Sequence, residues 1–253
     1  MRCATRRSWK SSSGPSMEPE LLRADALEAG YGRVQVLWGA GLAVRERETV
    51  VLLGANGAGK TTLLKTVMGL VQAWRGAIRF LGRDLTHERT DRRVRAGIAY
   101  MSEAGCFAGL SVEENIRIGG QFTPAAELRR RTQELYAIFP ALAERRGALA
   151  SSLSGGQRKM LGIAKALAGS PRLLVMDEPS AGLSPLFVKE VIQVLVRFRG
   201  QGLSLLIAEQ NVRFLELADR VYTLEGGRIG FEGSVAAMHE NDALRRAYFG
   251  LKG

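Results

Sequence analysis

Gly54-Ala55-Asn56-Gly57-Ala58-Gly59-Lys60-Thr61-Thr62 is the stretch that decides the fold. It follows an apolar run, Thr49-Val50-Val51-Leu52-Leu53, and precedes a helical pattern from Lys60 to about Leu70. A glycine-rich segment ending in Gly-Lys-Thr, set between a buried strand and a helix, is the arrangement of a phosphate-binding loop. The glycines let the backbone wrap close to phosphate oxygens with N–H groups pointing inward. The helix start adds partial positive charge. Lys60 is expected to reach the β- and γ-phosphates and the Thr61 hydroxyl to ligate Mg²⁺. Gly54, Asn56, Gly57, Gly59 and Thr62 complete the expected nucleotide contacts. Taken alone, the loop establishes binding of a nucleoside triphosphate and leaves open which one.

A second motif lies downstream. Leu173-Leu174-Val175-Met176 is an apolar strand run that ends in Asp177-Glu178. Two acids at the C-terminal end of a buried strand are costly unless a cation or hydrogen bonds compensate. In a parallel α/β sheet that end is where ligands bind. Asp177 is therefore expected to hold Mg²⁺, directly or through water, and Glu178 to act as general base on the attacking water.

Composition narrows the setting. Of 253 residues 46% are hydrophobic and 24% charged, as in ordinary globular domains, and no apolar run approaches the roughly 18 residues that would suggest a membrane span. The formal net charge of +11 suits a nucleotide, an anionic lipid surface or a nucleic acid without choosing among them. Two cysteines, Cys3 and Cys106, make neither a disulfide framework nor a thiolate metal site, which fits a reducing cytosol. The two histidines, His87 and His239, have no ligand-like spacing and are expected at the surface.

Along the chain, residues 1–18 read as a disordered basic tail, with Arg2, Arg6, Arg7 and Lys10 and no apolar core of a secretory signal. Short strands and turns are expected over Leu21–Val44, with turn signals at Tyr31-Gly32 and at Gly39-Ala40-Gly41. Further strands are expected at Ala77–Leu81, Gly97–Met101, Arg172–Met176, Leu203–Ala208 and Arg220–Leu224. The region 108–152 reads as mostly helical, with Pro140 closing the helix that begins at Ala125. Leu186–Phe198 reads as amphipathic, with Val188, Val191, Ile192 and Leu195 on one face. Strands alternating with helices predict an α/β fold with a mainly parallel sheet.

Leu153-Ser154-Gly155-Gly156-Gln157 sits between the two motifs. Ser154 can cap the following helix, and the glycines let backbone N–H groups approach a phosphate. With this third motif in this order the sequence resembles the ATPase subunits of ABC (ATP-binding cassette) transporters, from Leu21 to Gly253. The resemblance implies a P-loop NTPase core with a mainly parallel sheet, an N-terminal antiparallel β subdomain and a helical subdomain at about 104–168, within one nucleotide-binding domain over 19–253. It implies ATP and Mg²⁺ as ligands, Tyr31 as the aromatic that stacks on adenine, and Ser154, Gly155, Gly156 and Gln157 as contacts to ATP held by a partner subunit. Ser180-Ala181-Gly182-Leu183-Ser184 matches the loop that contacts the opposite subunit.

Two positions depart from the common family pattern. Glu103 stands where a glutamine usually reaches Mg²⁺ and the attacking water. Gln210 stands where a histidine usually contacts the γ-phosphate, and an amide donates a hydrogen bond but takes up no proton. Ala208-Glu209-Gln210-Asn211, Glu113-Glu114-Asn115, the segment Asp177–Pro185 and the ending Tyr248-Phe249-Gly250 resemble ATP-binding subunits of branched-chain amino acid importers, and of related urea and amide importers. The stretch Glu103–Phe107 lacks the arginines of that subgroup. The subgroup implies a second, different ATPase subunit, transmembrane permease subunits, an external substrate-binding protein, and a place in the cytoplasm against the inner face of the cell membrane. Two other classes compete: a regulatory subunit that hydrolyses ATP weakly, and a soluble ABC ATPase acting on DNA or ribosomes. The latter ordinarily shows paired cassettes or a long coiled-coil insertion, so no nucleic-acid partner is expected.

Overall fold

Thr49–Leu53 alternates between two cores: Val50 and Leu52 pack into one and Val51 and Leu53 into the other, because successive strand side chains point to opposite faces. The same division recurs at Leu173 and Val175 against Leu174 and Met176. A strand buried on both faces has to lie in the middle of a three-layer structure. In the computed structural model, which describes residues 19–250, that is where these strands lie.

The described chain opens with a hairpin, β1 (Glu20–Tyr31) and β2 (Val34–Arg45), turning through Gly32-Arg33. The Gly39–Gly41 segment, expected as a turn, instead runs on within β2. Gly39, at φ 78°, is an extra residue between the pairs Leu27–Ala40 and Glu28–Trp38, a bulge that bends the strand without ending it. β3 (Thr49–Leu53) leads through the phosphate loop to α1 (Lys60–Val67), which stops three residues short of Leu70. β4 (Ala73–Phe80) begins four residues before the expected Ala77, since Ala73 and Arg75 pair with β1. The short β5 (Arg83–Asp84) and α2 (Thr90–Ala96) follow.

β6 (Ile98–Met101) precedes a helical stretch: α3 (Val112–Gly119), α4 (Ala125–Ile138), α5 (Pro140–Ala143) and α6 (Gly155–Leu167). Strand and helix then alternate as β7 (Leu173–Asp177), α7 (Pro185–Arg199), β8 (Ser204–Glu209), β9 (Arg220–Glu225) and β10 (Arg228–Gly233). α8 (Val235–Glu240) and α9 (Asp242–Phe249) end the described chain. In α7, Val188, Val191, Ile192 and Leu195 are buried, as their spacing predicts. His87 and His239 are exposed. The expected tail at 1–18 lies outside the described residues.

The central sheet has the order β10-β9-β3-β8-β7-β6, parallel except for β10. A second, antiparallel sheet has the order β2-β1-β4-β5. α1 lies between the two sheets in one core, while α6 and α7 cover the other face. This is the α/β class expected. The layering brings the C-terminal ends of β3, β7 and β8 side by side, since these strands are neighbours and parallel.

One buried charge holds the α1 end of this arrangement. Arg93 is 2% exposed, and its guanidinium donates to Glu88 O at 2.9 Å, Thr66 O at 3.0 Å, Val67 O at 2.6 Å and Thr86 O at 3.1 Å. Two of those carbonyls end α1, where a cation opposes the negative end of the helix dipole. Arg93→Met is expected to cost about 3 kcal/mol, because charge-assisted bonds are lost and buried carbonyls are left unpaired. Urea unfolding measures this, and a loss under about 0.5 kcal/mol, the ordinary surface value, would contradict it.

Candidate active site

β3 delivers the chain into a loop that only glycine accommodates at its start. A Cβ on Gly54 would lie 2.6 Å from the carbonyl oxygen of Leu224 on β9. The loop closes at Gly59, at φ 107°, which caps α1 with no side-chain acceptor, and no acid occupies the first turn. The N–H groups at this helix start are thus left without an anionic side chain, as an anion site requires.

Lys60 is the first residue of α1 and is 3% exposed. Its ammonium donates to Gly54 O at 2.8 Å and Ala55 O at 3.1 Å, and it lies 3.0 Å from Glu178 Oε1. The Thr61 hydroxyl donates to Asp177 Oδ1 at 3.0 Å, and the Tyr100 hydroxyl to Asp177 Oδ2 at 3.1 Å. Asp177 is 3% exposed, and this burial pushes its carboxyl above the ordinary range, against the two hydroxyls that favour the anion. A buried carboxylate beside a hydroxyl at a phosphate loop is a donor set that fits Mg²⁺, which takes one or two protein oxygens and the rest from phosphates and water. Among the described residues no group of three or more His, Cys, Asp or Glu side chains gathers as a protein-only metal cage.

Glu178 follows β7 with φ 47°, a left-handed conformation costing about 1–3 kcal/mol for a non-glycine residue. Its N–H donates to Ala208 O at 2.9 Å. Gln210 donates from Nε2 to Asn56 Oδ1 at 2.6 Å and to Glu178 Oε1 at 3.2 Å. It therefore bridges the phosphate loop and the proposed base. Glu103 joins Lys60, Thr61, Thr62, Asn56 and Glu178 around a cavity of about 480 Å³. Tyr31 stands at the end of β1, 48% exposed, so its ring is not a core residue.

Ser154, Gly155, Gly156 and Gln157 do not line this cavity. They start α6, where Ser154 Oγ accepts from Gln157 N at 3.2 Å and Ser154 N donates to Gln157 Oε1 at 3.0 Å. This reciprocal capping box closes the start of α6, where Ser154 and Gly155 are exposed and Gly156 is buried.

Three residues to which the sequence assigned no role also hold the site. Glu209, 2% exposed, accepts from Ser180 N at 2.8 Å, Gln210 N at 3.0 Å and Asn211 N at 3.1 Å. It thereby joins the loop after Glu178 to the segment carrying Gln210. Its signal was an acid ending an apolar strand, as at Asp177. Tyr100 had no such signal, because its partner lies 77 positions away. Lys159 donates to the backbone oxygens of Glu103 at 2.7 Å and Glu178 at 3.0 Å. Burial pushes its ammonium pKa down, and the nearby carboxylates of Glu103, Glu209, Glu178 and Asp177 oppose that. Its signal was a lysine four residues before Ile163, on the apolar face of α6.

The protein family described as ABC transporter matches residues 37–181. The chain is 39% identical over 232 residues to the high-affinity branched-chain amino acid transport ATP-binding protein BraG of Pseudomonas aeruginosa, covering 91% of this chain and 100% of that one. It is 35% identical over 236 residues to the lipopolysaccharide export system ATP-binding protein LptB of Haemophilus influenzae, covering 91% and 97%. Among solved structures, an ATP-binding subunit of an ABC transporter aligns at a TM-score of 0.77 and 29% identity, covering 91% and 96%. The chain thus belongs to the ABC transporter family, as an ATP-binding and ATP-hydrolysing subunit of a transporter.

Proposed function

We propose that this subunit powers import of branched-chain or other hydrophobic amino acids. The observation that carries the catalytic part is the convergence of Lys60, Thr61, Asp177, Glu178 and Gln210 at the ends of three adjacent strands. Lys60 and the first-turn N–H groups of α1 bind the β- and γ-phosphates. Thr61 and Asp177, with Glu103 nearby, would hold Mg²⁺, which would supply neutralisation of charge on the phosphate oxygens. Glu178 takes a proton from water as its oxygen attacks the γ-phosphorus and the bond to the β-bridging oxygen breaks, releasing ADP. Gln210 orients Glu178 by donation and takes no proton. The Tyr31 ring stacks on the adenine.

The capped helix start at Ser154–Gln157 does not line this chain's own cavity, which supports its use on ATP held by a second ATPase subunit. Two subunits then close over two ATP molecules, and closure works on transmembrane permease subunits through the helical subdomain at about 104–168. ATP favours the closed pair and ADP does not, so hydrolysis resets the cycle. This places the chain on the inner face of the cell membrane, with an external binding protein delivering substrate. Among the described residues no helix is long and apolar enough to cross a membrane. The likeness to BraG supports amino acid import, and that to LptB marks lipid export as the competing cargo.

The test is ATPase activity of the chain assembled with its second ATPase subunit and permease. Addition of a leucine-loaded binding protein is expected to raise it, and Lys60→Ala to abolish it. Stimulation by lipopolysaccharide and not by any branched-chain amino acid would overturn the importer reading.

A further inference from the structure

Lys159 is a buried cation that, among the described residues, forms no direct ion pair with a carboxylate. It lies on α6, five residues after Ser154, and is 8% exposed. Its ammonium spends its donors on two backbone oxygens from separate segments, Glu103 O at 2.7 Å and Glu178 O at 3.0 Å. Both residues line the phosphate cavity. The approach is close: a Cβ on Gly162, one turn along α6, would lie 2.8 Å from the Cα of Gly105.

The backbone of Glu178 explains what such a grip achieves. A non-glycine residue in the left-handed region relaxes out of it unless the peptide groups on both sides are held. On the N-terminal side, β8 accepts the Glu178 N–H. On the other side, the Glu178 carbonyl has two donors, Ala181 N at 3.1 Å within the same turn and Lys159 Nζ. Lys159 is thus the anchor that reaches this carbonyl from outside the turn.

We propose that Lys159 is a positioning residue for ATP hydrolysis, fixing the backbones of Glu178 and Glu103 to the helix that begins at Ser154. Movement of that helix is then transmitted to both carboxylates of the cavity through one side chain. This rests on the reading of Glu178 as the base.

The experiment uses the full chain assembled with its second ATPase subunit. Lys159→Met, which keeps length and apolar packing, is expected to lower kcat about tenfold or more while KM for ATP stays within about twofold. Amide hydrogen exchange over 178–183 is expected to quicken about tenfold, with exchange in β3 unchanged. Parent-like kcat, or parent-like exchange over 178–183, would overturn the proposal. If Lys159→Met does not fold, Lys159→Gln, whose amide donates from a shorter arm, is expected to show the same changes to a smaller degree, with the same results counting against it. Glu178→Gln run alongside separates the two readings. Normal turnover in that variant removes Glu178 as base, whereas the exchange measurement decides the Lys159 anchor whatever the base is.

Discussion

Glu178→Gln is expected to bind ATP like the parent and to lower turnover by about 10²–10⁴, the usual range for loss of a general base. The geometry is what makes this a clean substitution. The Oε1 atom of Glu178 accepts from Gln210 and faces Lys60, and an amide oxygen accepts from both in the same place. The strained backbone is held by Ala208 and Lys159 rather than by the carboxylate, so it persists. What disappears is the ability to take a proton. The Gln210 amide offers no replacement, so little residual base catalysis is expected. Because ATP stays bound without being cleaved, the variant should also accumulate the closed pair of subunits, which size-exclusion chromatography with ATP reports. Turnover within a factor of about three of the parent would mean that another group is the base.

Lys60→Ala should fail at the preceding step. Lys60 is nearly fully buried, and its donors converge on the loop carbonyls of Gly54 and Ala55 and on the carboxylate of Glu178. An ammonium so placed makes charge-assisted bonds to phosphate oxygens, each worth about 1.5–3 kcal/mol. Losing it is expected to weaken ATP binding by about 10–100-fold and to remove detectable turnover. The variant also leaves Glu178 without its cationic neighbour, which adds net negative charge where the γ-phosphate must sit. Calorimetric titration with ATP measures the effect. Affinity within about twofold of the parent would show that the loop N–H groups carry phosphate binding by themselves.

The contrast between these variants shows how much was legible in the chain alone. Gly54–Thr62, Asp177-Glu178 and Ser154–Gln157 were readable because each chemistry needs residue types at short, fixed spacing, and local backbone geometry enforces that spacing. The parallel sheet was readable from strands alternating with helices, and the two-sided burial of β3 from an unbroken apolar run. Gln210 and Glu103 were singled out only through the family resemblance, which marks the loops that follow two recognisable strands.

Where local periodicity was weak, the reading failed. The Gly39–Gly41 segment looks like a turn, yet pairing with β1 continues across it through bulges. α2, β5 and α8 are short and were not anticipated; β10 is held by its ladder to β9 and α9 is nowhere fully buried.

The sequence by itself determined the kind of fold, the phosphate loop and the acids that answer it, since those depend on neighbours a few residues apart. Only the tertiary structure decided which distant groups hold those acids in place. Tyr100 reaches Asp177 across 77 positions, Glu209 reaches Ser180 across 29, and Lys159 reaches Glu103 across 56. Such contacts follow from strand order and from the closeness of α6 to the sheet, and a hydrogen bond between side chain and backbone leaves almost no trace in the residue types that make it.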